Sequence, residues 1–297
     1  MPDDATESDN FFEPSSLDRR PGSARFIFNL IMTVLAALCT ILAIIPLVAV
    51  LFYVLFQGGQ RIDIALLTQL PPPPLAEGGG LGNALLGTLI IVGIATLISV
   101  PCGILAAVYL SEYALGSQLT QTIQFATNVL SGVPSIIAGV FVYGLLVVTG
   151  LTGYSAVAGG TALSILMIPT IIRTTDEALQ LVPQDVRFAA FGVGATPSQC
   201  IIKIVLPAAL PSIITGIVLA IARASGETAP LIFTALNSSF WPSGLFQPIA
   251  SLSVSVYNFA LVPFENQQEL AWAGSLILVL LVVITSIVAR LVTLQKN

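Results

Sequence analysis

Six apolar stretches, each about as long as a bilayer-crossing helix, dominate this chain. They run from about Phe26 to Phe56, Asn83 to Tyr109, Ile123 to Val148, Ala156 to Ile172, Ala208 to Ala235 and Leu270 to Leu294. A helix rises about 1.5 Å per residue, so roughly 20 apolar residues cross a hydrocarbon core about 30 Å thick. Only 8% of the 297 residues are charged and 56% are hydrophobic, whereas soluble domains carry about 25% charged residues. The expected fold class is therefore all-α: a polytopic membrane protein with six transmembrane helices. Several stretches carry helix breakers: Pro46 in the first, Pro101 and Gly103 in the second, Gly132-Val-Pro134-Ser135 in the third. Lipid offers no partner to backbone groups that such residues free, so the third and fifth helices, which carry them, are expected to pack inside a bundle.

Charge sets the expected orientation. Six spans put both termini on one side. Arg19, Arg20 and Arg25 precede the first span, Arg173, Arg187 and Lys203 lie between the fourth and fifth, and Arg290 and Lys296 end the sixth. All fall on the same side, which the positive-inside rule makes cytoplasmic. Residues 1–25 form an acidic cytoplasmic tail too polar to fold alone, with Asp3, Asp4, Glu7, Asp9, Glu13 and Asp18. Its acidic start is unlike a cleaved signal peptide. Residues 57–82, 149–155 and 236–269 become outer loops, and the last holds Phe240, Trp241, Phe246, Tyr257 and Phe264. Such aromatics suit the membrane interface, and apolar loop packing is the plainer reading of them.

Several chemistries drop out. The chain has no histidine, which removes histidine metal ligands, histidine proton relays and Ser-His or Cys-His catalysis. Cys39, Cys102 and Cys200 lie in separate segments and form no disulfide framework. No nucleotide-binding fingerprint is present. An enzyme is not expected, and any ATP hydrolysis belongs to another chain.

The polar exception is Arg173 to Pro230. It opens with a charged turn, Arg173-Thr-Thr-Asp176-Glu177. A short helix follows from Pro183, its first turn holding Asp185 and its end marked by Gly192 and Gly194. That helix exposes small residues together with Phe188 and Phe191. Further on, Arg223 is the one basic residue within a span. Twelve residues, roughly 18 Å of helix rise, separate it from Pro211, which places it near mid-membrane. A charge at that depth costs at least about 2.5–3.5 kcal/mol to insert and marks a pathway by default. Glu227, four residues on, shares its helix face and can pair with it. One reading is a structural ion pair. The other is a translocation route in which Arg223 grips an oxyanion through two parallel hydrogen bonds. Ser225 and Thr228 are weaker pathway candidates.

Ala189-Ala190-x-x-x-Gly194, then nine residues, then Ile204-x-Leu206-Pro207 resembles the EAA loop of ABC importer permeases. The glutamate of that motif falls at position 188, where this chain has Phe188. The resemblance narrows to the Pst phosphate-uptake permeases through Pro169-Thr-Ile-Ile-Arg173, Leu206-Pro-Ala-Ala-Leu-Pro211 and Arg223-Ala-Ser-Gly226-Glu227-Thr-Ala-Pro230. Of that family's two permease types, Gly226–Pro230 and Gln268-Glu-Leu-Ala-Trp272-Ala resemble the A type. The match covers about Gly82 to Leu294 and leaves out the acidic tail. It implies a type I ABC importer permease fold over residues 26–297, with a coupling loop at 173–207. It implies phosphate import across the bacterial inner membrane, with Arg223 and Glu227 associated with transport. Asp185, Arg187, Phe188, Ala189, Ala190, Gly194, Leu206 and Pro207 then belong to ATPase coupling. The implied partners are a second permease, two ATPase subunits that hold ATP and Mg, and an extracytoplasmic phosphate-binding protein. No cofactor is expected on this chain. A permease for another oxyanion such as sulfate or molybdate, and a stand-alone secondary transporter, remain as alternative readings.

Overall fold

The structure, a computed structural model, describes residues 24–113 and 117–294. The acidic tail up to residue 23 lies outside them. The described residues are helical and contain no strand. They divide into two units, the first ending at Tyr53. The first unit is the leading part of α1 (Ala24–Gly59), with Pro46 inside the helix. From Phe26 to Tyr53 it carries no charged residue, so nothing in its sequence opposes full immersion in lipid.

The second unit begins with the end of α1, where Gly58 lies against Trp272 and Leu276. The short α2 (Ile64–Thr68) starts at Asp63, whose carboxylate accepts from the Leu66 amide at 2.7 Å. Then come α3 (Gly82–Val108), α4 (Gln118–Gly132), α5 (Ser135–Val142), α6 (Ala156–Gln180) and α7 (Gln184–Gly192). α8 (Pro197–Cys200), α9 (Leu206–Ser225), α10 (Ala229–Thr234), α11 (Leu252–Leu261) and α12 (Glu265–Leu294) complete the chain. Three segments open into π-turns, with wider i→i+5 spacing: Tyr109–Tyr113 after α3, Tyr143–Val147 after α5 and Ile201–Val205 before α9.

Among the described residues, five helical segments are long and apolar enough to cross a membrane, and a sixth crossing requires α4 and α5 to count as one. Those two meet at 105°, so the third expected span is not a straight helix. The cause is local. Val133 is extended (ψ 128°), as the residue before a proline must be, and Pro134 has no N–H to carry the ladder on.

The fourth expected span ends later than its hydropathy suggests. α6 runs on to Gln180, so Arg173–Glu177 is helix and not a turn. Side chains four apart line this extension: Arg173 Nε lies 3.4 Å from Glu177, and Gln180 donates to Asp176 at 3.0 Å. The fifth expected span begins at Pro197, not Ala208, behind a Thr196–Gln199 capping box. It stops at Ser225, and α10 restarts after a break at Gly226–Thr228. The sixth starts at Glu265 and not Leu270.

α6 is the axis of the core. Its Leu163, Met167 and Ile171 are fully buried against Ile91 and Ala95 of α3, Ala220 and Ala224 of α9, and Leu231 of α10. Small residues on both sides let backbones approach, which in lipid replaces the missing hydrophobic drive between helices. A second cluster joins the end of α6 to α7, α8 and α9 through Leu179, Val182, Ala190, Cys200, Val205 and Ile213. The segment 236–269 is anchored from within: Ile249, Ala250 and Leu252 are buried, and the Leu252 amide donates to Thr88 Oγ1 at 2.8 Å. Its Phe240, Trp241, Phe246 and Tyr257 stay on the surface.

Candidate functional site

Arg223 stands on the last turn of α9, two residues before the helix ends. A cation there meets the negative end of the helix dipole. The chain then turns: the Gly226 amide donates to Arg223 O at 3.1 Å and the Glu227 amide to Ala224 O at 3.2 Å. Irregular backbone at membrane depth persists only where protein covers it or a cavity lies beside it. Both apply here. Ser253 of α11 donates to the Glu227 carbonyl at 2.9 Å. On the other side Gly139 of α5 lies against Pro230, where an added Cβ would meet the proline's Cα and carbonyl oxygen. No other residue type fits at 139 without moving α5 or α10.

Glu227 therefore lies outside the helix that carries Arg223, yet the pair forms. Arg223 Nε is 3.7 Å from Glu227 Oε1, with the arginine side chain 68% exposed and the glutamate 19%. This is an ion pair beyond hydrogen-bond length. A pair this long with one open partner is weak; pairs exposed at both ends contribute about 0.2–1 kcal/mol.

Arg223 also borders a cavity of about 190 Å³ between α4, α6 and α9, lined by Ser131, Thr170, Thr174 and Arg173 as well. The second arginine is unexpected, because the charged-turn reading places Arg173 outside any span. Arg173 repeats the design of Arg223, with a glutamate four residues on. Ser131 donates to Thr127 O and Thr174 to Thr170 O, both within their own helices. The charged donors for an anion are thus the two guanidinium groups, with the Thr170 hydroxyl beside them. Ser225 is buried and donates to Ile221 O at 2.8 Å, and neither it nor Thr228 lines this cavity.

The segment expected to couple to an ATPase sorts differently once folded. Pro183 precedes α7, and Gly194 ends it in the left-handed region (φ +85°), which favours glycine. Asp185, Phe188, Ala189, Gly194 and Pro207 are exposed. Ala190 is buried and Leu206 half-buried, and both pack into the second apolar cluster. Their work is to seat α7 against α9. Arg187 also faces inward: one terminal nitrogen pairs with both carboxylate oxygens of Glu112 and the other donates to Leu179 O at 2.8 Å. Its side chain is 12% exposed and that of Glu112 9%. Glu112 is the other residue that sequence reasoning missed, since its partner lies 75 positions away.

Residues 99–294, which include both regions, match the family described as the binding-protein-dependent transport system inner membrane component. The chain belongs to that family. Curated relatives carry this further. The permease is 41% identical over 269 residues to the phosphate transport system permease protein PstA of Yersinia pestis, covering 91% of each chain. It is 43% identical to the protein of that name in Haemophilus influenzae, over 91% of this chain and 95% of the relative. A solved bacterial alginate ABC transporter shares its fold at 16% identity and a TM-score of 0.60, covering 92% of this chain and 94% of that one. The permease is thus a multi-pass membrane protein with the fold of ABC importer permeases.

Proposed function

We propose that this permease is the PstA-type subunit of an ATP-driven inorganic phosphate importer in the bacterial inner membrane, with both termini cytoplasmic. The observation that carries the reading is the pair of guanidinium groups, Arg173 and Arg223, on one cavity in a chain with ten basic residues in all. Its relatives named for phosphate transport support the choice of anion.

The geometry suggests a cycle. Without solute, Glu227 occupies Arg223. The pair is long and open at the arginine end, so it holds weakly. A phosphate oxygen pair offers charge-assisted hydrogen bonds of about 1.5–3 kcal/mol each, enough to displace the glutamate. Once phosphate leaves, Glu227 re-occupies the guanidinium and keeps the site from becoming a trap. A second permease of similar fold completes the pathway, and a phosphate-binding protein delivers solute from outside. Two ATPase subunits, which hold ATP and Mg, dock on the exposed face of α7 and supply the work. Phe188, 66% exposed, makes that contact apolar at the position where the EAA motif has glutamate.

The test is a reconstituted complex carrying Arg223→Ala. It should assemble and lose uptake of labelled phosphate. Normal uptake would reject the site. Uptake competed by sulfate or molybdate in preference to phosphate would reject the anion.

A further inference from the structure

The link between Arg187 and Glu112 has a purpose beyond holding the fold together. A cavity of about 520 Å³, lined by Ser111, Glu112, Gln184, Phe188 and Cys200 among others, separates α7 from the π-turn that ends α3. Apolar packing does not fill this space. The Arg187–Glu112 ion pair spans it, both residues being part of its lining; a 3.4 Å hydrogen bond between Tyr113 and Ser198 of α8 joins the same two regions. The same guanidinium reaches Leu179 O near the end of α6. One side chain on α7 therefore grips the ends of both α3 and α6.

We propose that Arg187 is a positioning residue that carries the displacement of α7 into α3, so that the coupling helix drives three spans and not only α6 and α9, to which it is joined in sequence. The proposal rests on the reading of α7 as the ATPase docking helix. Its physics is burial. An exposed ion pair slides when pushed, because water replaces either partner at little cost. A buried pair cannot open without stranding an uncompensated charge. The Arg187–Glu112 pair, with both ends about nine-tenths buried, is of the second kind. The route runs onward through continuous packing, since Ile172 of α6 is buried against Ala107 and Leu110 near the end of α3. α3 packs along α6 at Met167, and α6 carries Arg173 on the cavity wall. Motion delivered to the ends of α3 and α6 reaches the cavity of the two guanidinium groups through α6.

The experiment reads solute moved per ATP hydrolysed in the reconstituted complex, a ratio that poor assembly alone does not change. Arg187→Ala and Glu112→Ala should each lower it by about fivefold or more, and the double variant should be no worse than either single one, as for one shared link. Glu112→Gln, which keeps the shape and removes the charge, should lower it by about twofold even if the alanine variants assemble badly. Arg187→Lys should fall between wild type and alanine, since a single ammonium cannot grip Glu112 and Leu179 together. An unchanged ratio in all variants, or single effects that multiply in the double variant, overturns the proposal. If the unmodified complex moves another solute, the ratio is read for that solute and the tether is judged on it. If its ATP hydrolysis is linked to no solute, both the tether and the docking reading fall.

Discussion

Two arginine–glutamate pairs of this permease differ in how far they are covered. Arg223 and Glu227 sit four residues apart at 3.7 Å, with the arginine largely open to its surroundings. Arg187 and Glu112 are 75 residues apart and nearly sealed. The chemical groups are the same, so the difference lies in exposure. Where the guanidinium is open, the glutamate is a replaceable partner. Where both side chains are about nine-tenths covered, the pair is a fixed joint. Burial decides whether an ion pair acts as a catch or as a rivet.

The sharpest way to break this comparison is to remove one carboxylate from each pair. Glu112→Ala should destabilise the permease by about 3–5 kcal/mol, the cost of leaving a buried charge alone, seen as a lower thermal midpoint in detergent. Equal loss from Glu227→Ala would erase the distinction. Next comes Arg223→Ala, which should cut phosphate uptake by roughly 100-fold, about 3 kcal/mol of lost charge-assisted hydrogen bonding, with little change in that midpoint. Gly194→Ala forces a side chain into the left-handed region at the end of α7 and should cost about 1–2 kcal/mol. Its mark is a lower ratio of transport to ATP hydrolysis. Glu227→Gln should leave stability within about 1 kcal/mol and lower the phosphate concentration for half-maximal uptake, because the competitor for Arg223 is gone. The smallest effect is expected from Glu177→Ala, about 0.3–0.5 kcal/mol for an exposed pair on a helix, detectable only by careful denaturation.

Hydropathy made most of the helices legible, because a span needs a long uncharged run and little else. Pro183 and Gly194 bounded α7 correctly for the same local reason, since each acts on its own backbone. What hydropathy hid was helix carrying charge. Arg173 and Glu177 looked like a turn because charges usually end a span, yet no glycine or proline interrupts the chain from Pro169 to Pro183, and that gap was the available signal for a continuing helix. The breakers at Gly132–Pro134 were visible, but the 105° angle depends on packing that no local pattern encodes. At the pathway, the Arg223–Glu227 pairing was readable from spacing, and its survival past the end of α9 was not. At the coupling segment, Arg187 precedes buried Ala190 by three residues and so shares its face. That spacing could have turned Arg187 inward on paper. Glu112 could not have been found this way, since contact across 75 residues leaves no periodic trace.

The π-turns at Tyr109–Tyr113 and Ile201–Val205 carry a consequence for how such chains vary. A widened turn holds one residue more than the α register requires. Losing one residue from Ile201–Val205 would swing everything before it by about 100° relative to α9. The platform around Phe188 would then aim elsewhere, while length, hydropathy and motif content stayed almost the same. A single-residue gap at either place, invisible to any count of helices, would amount to a change of bearing for the helix it precedes or follows.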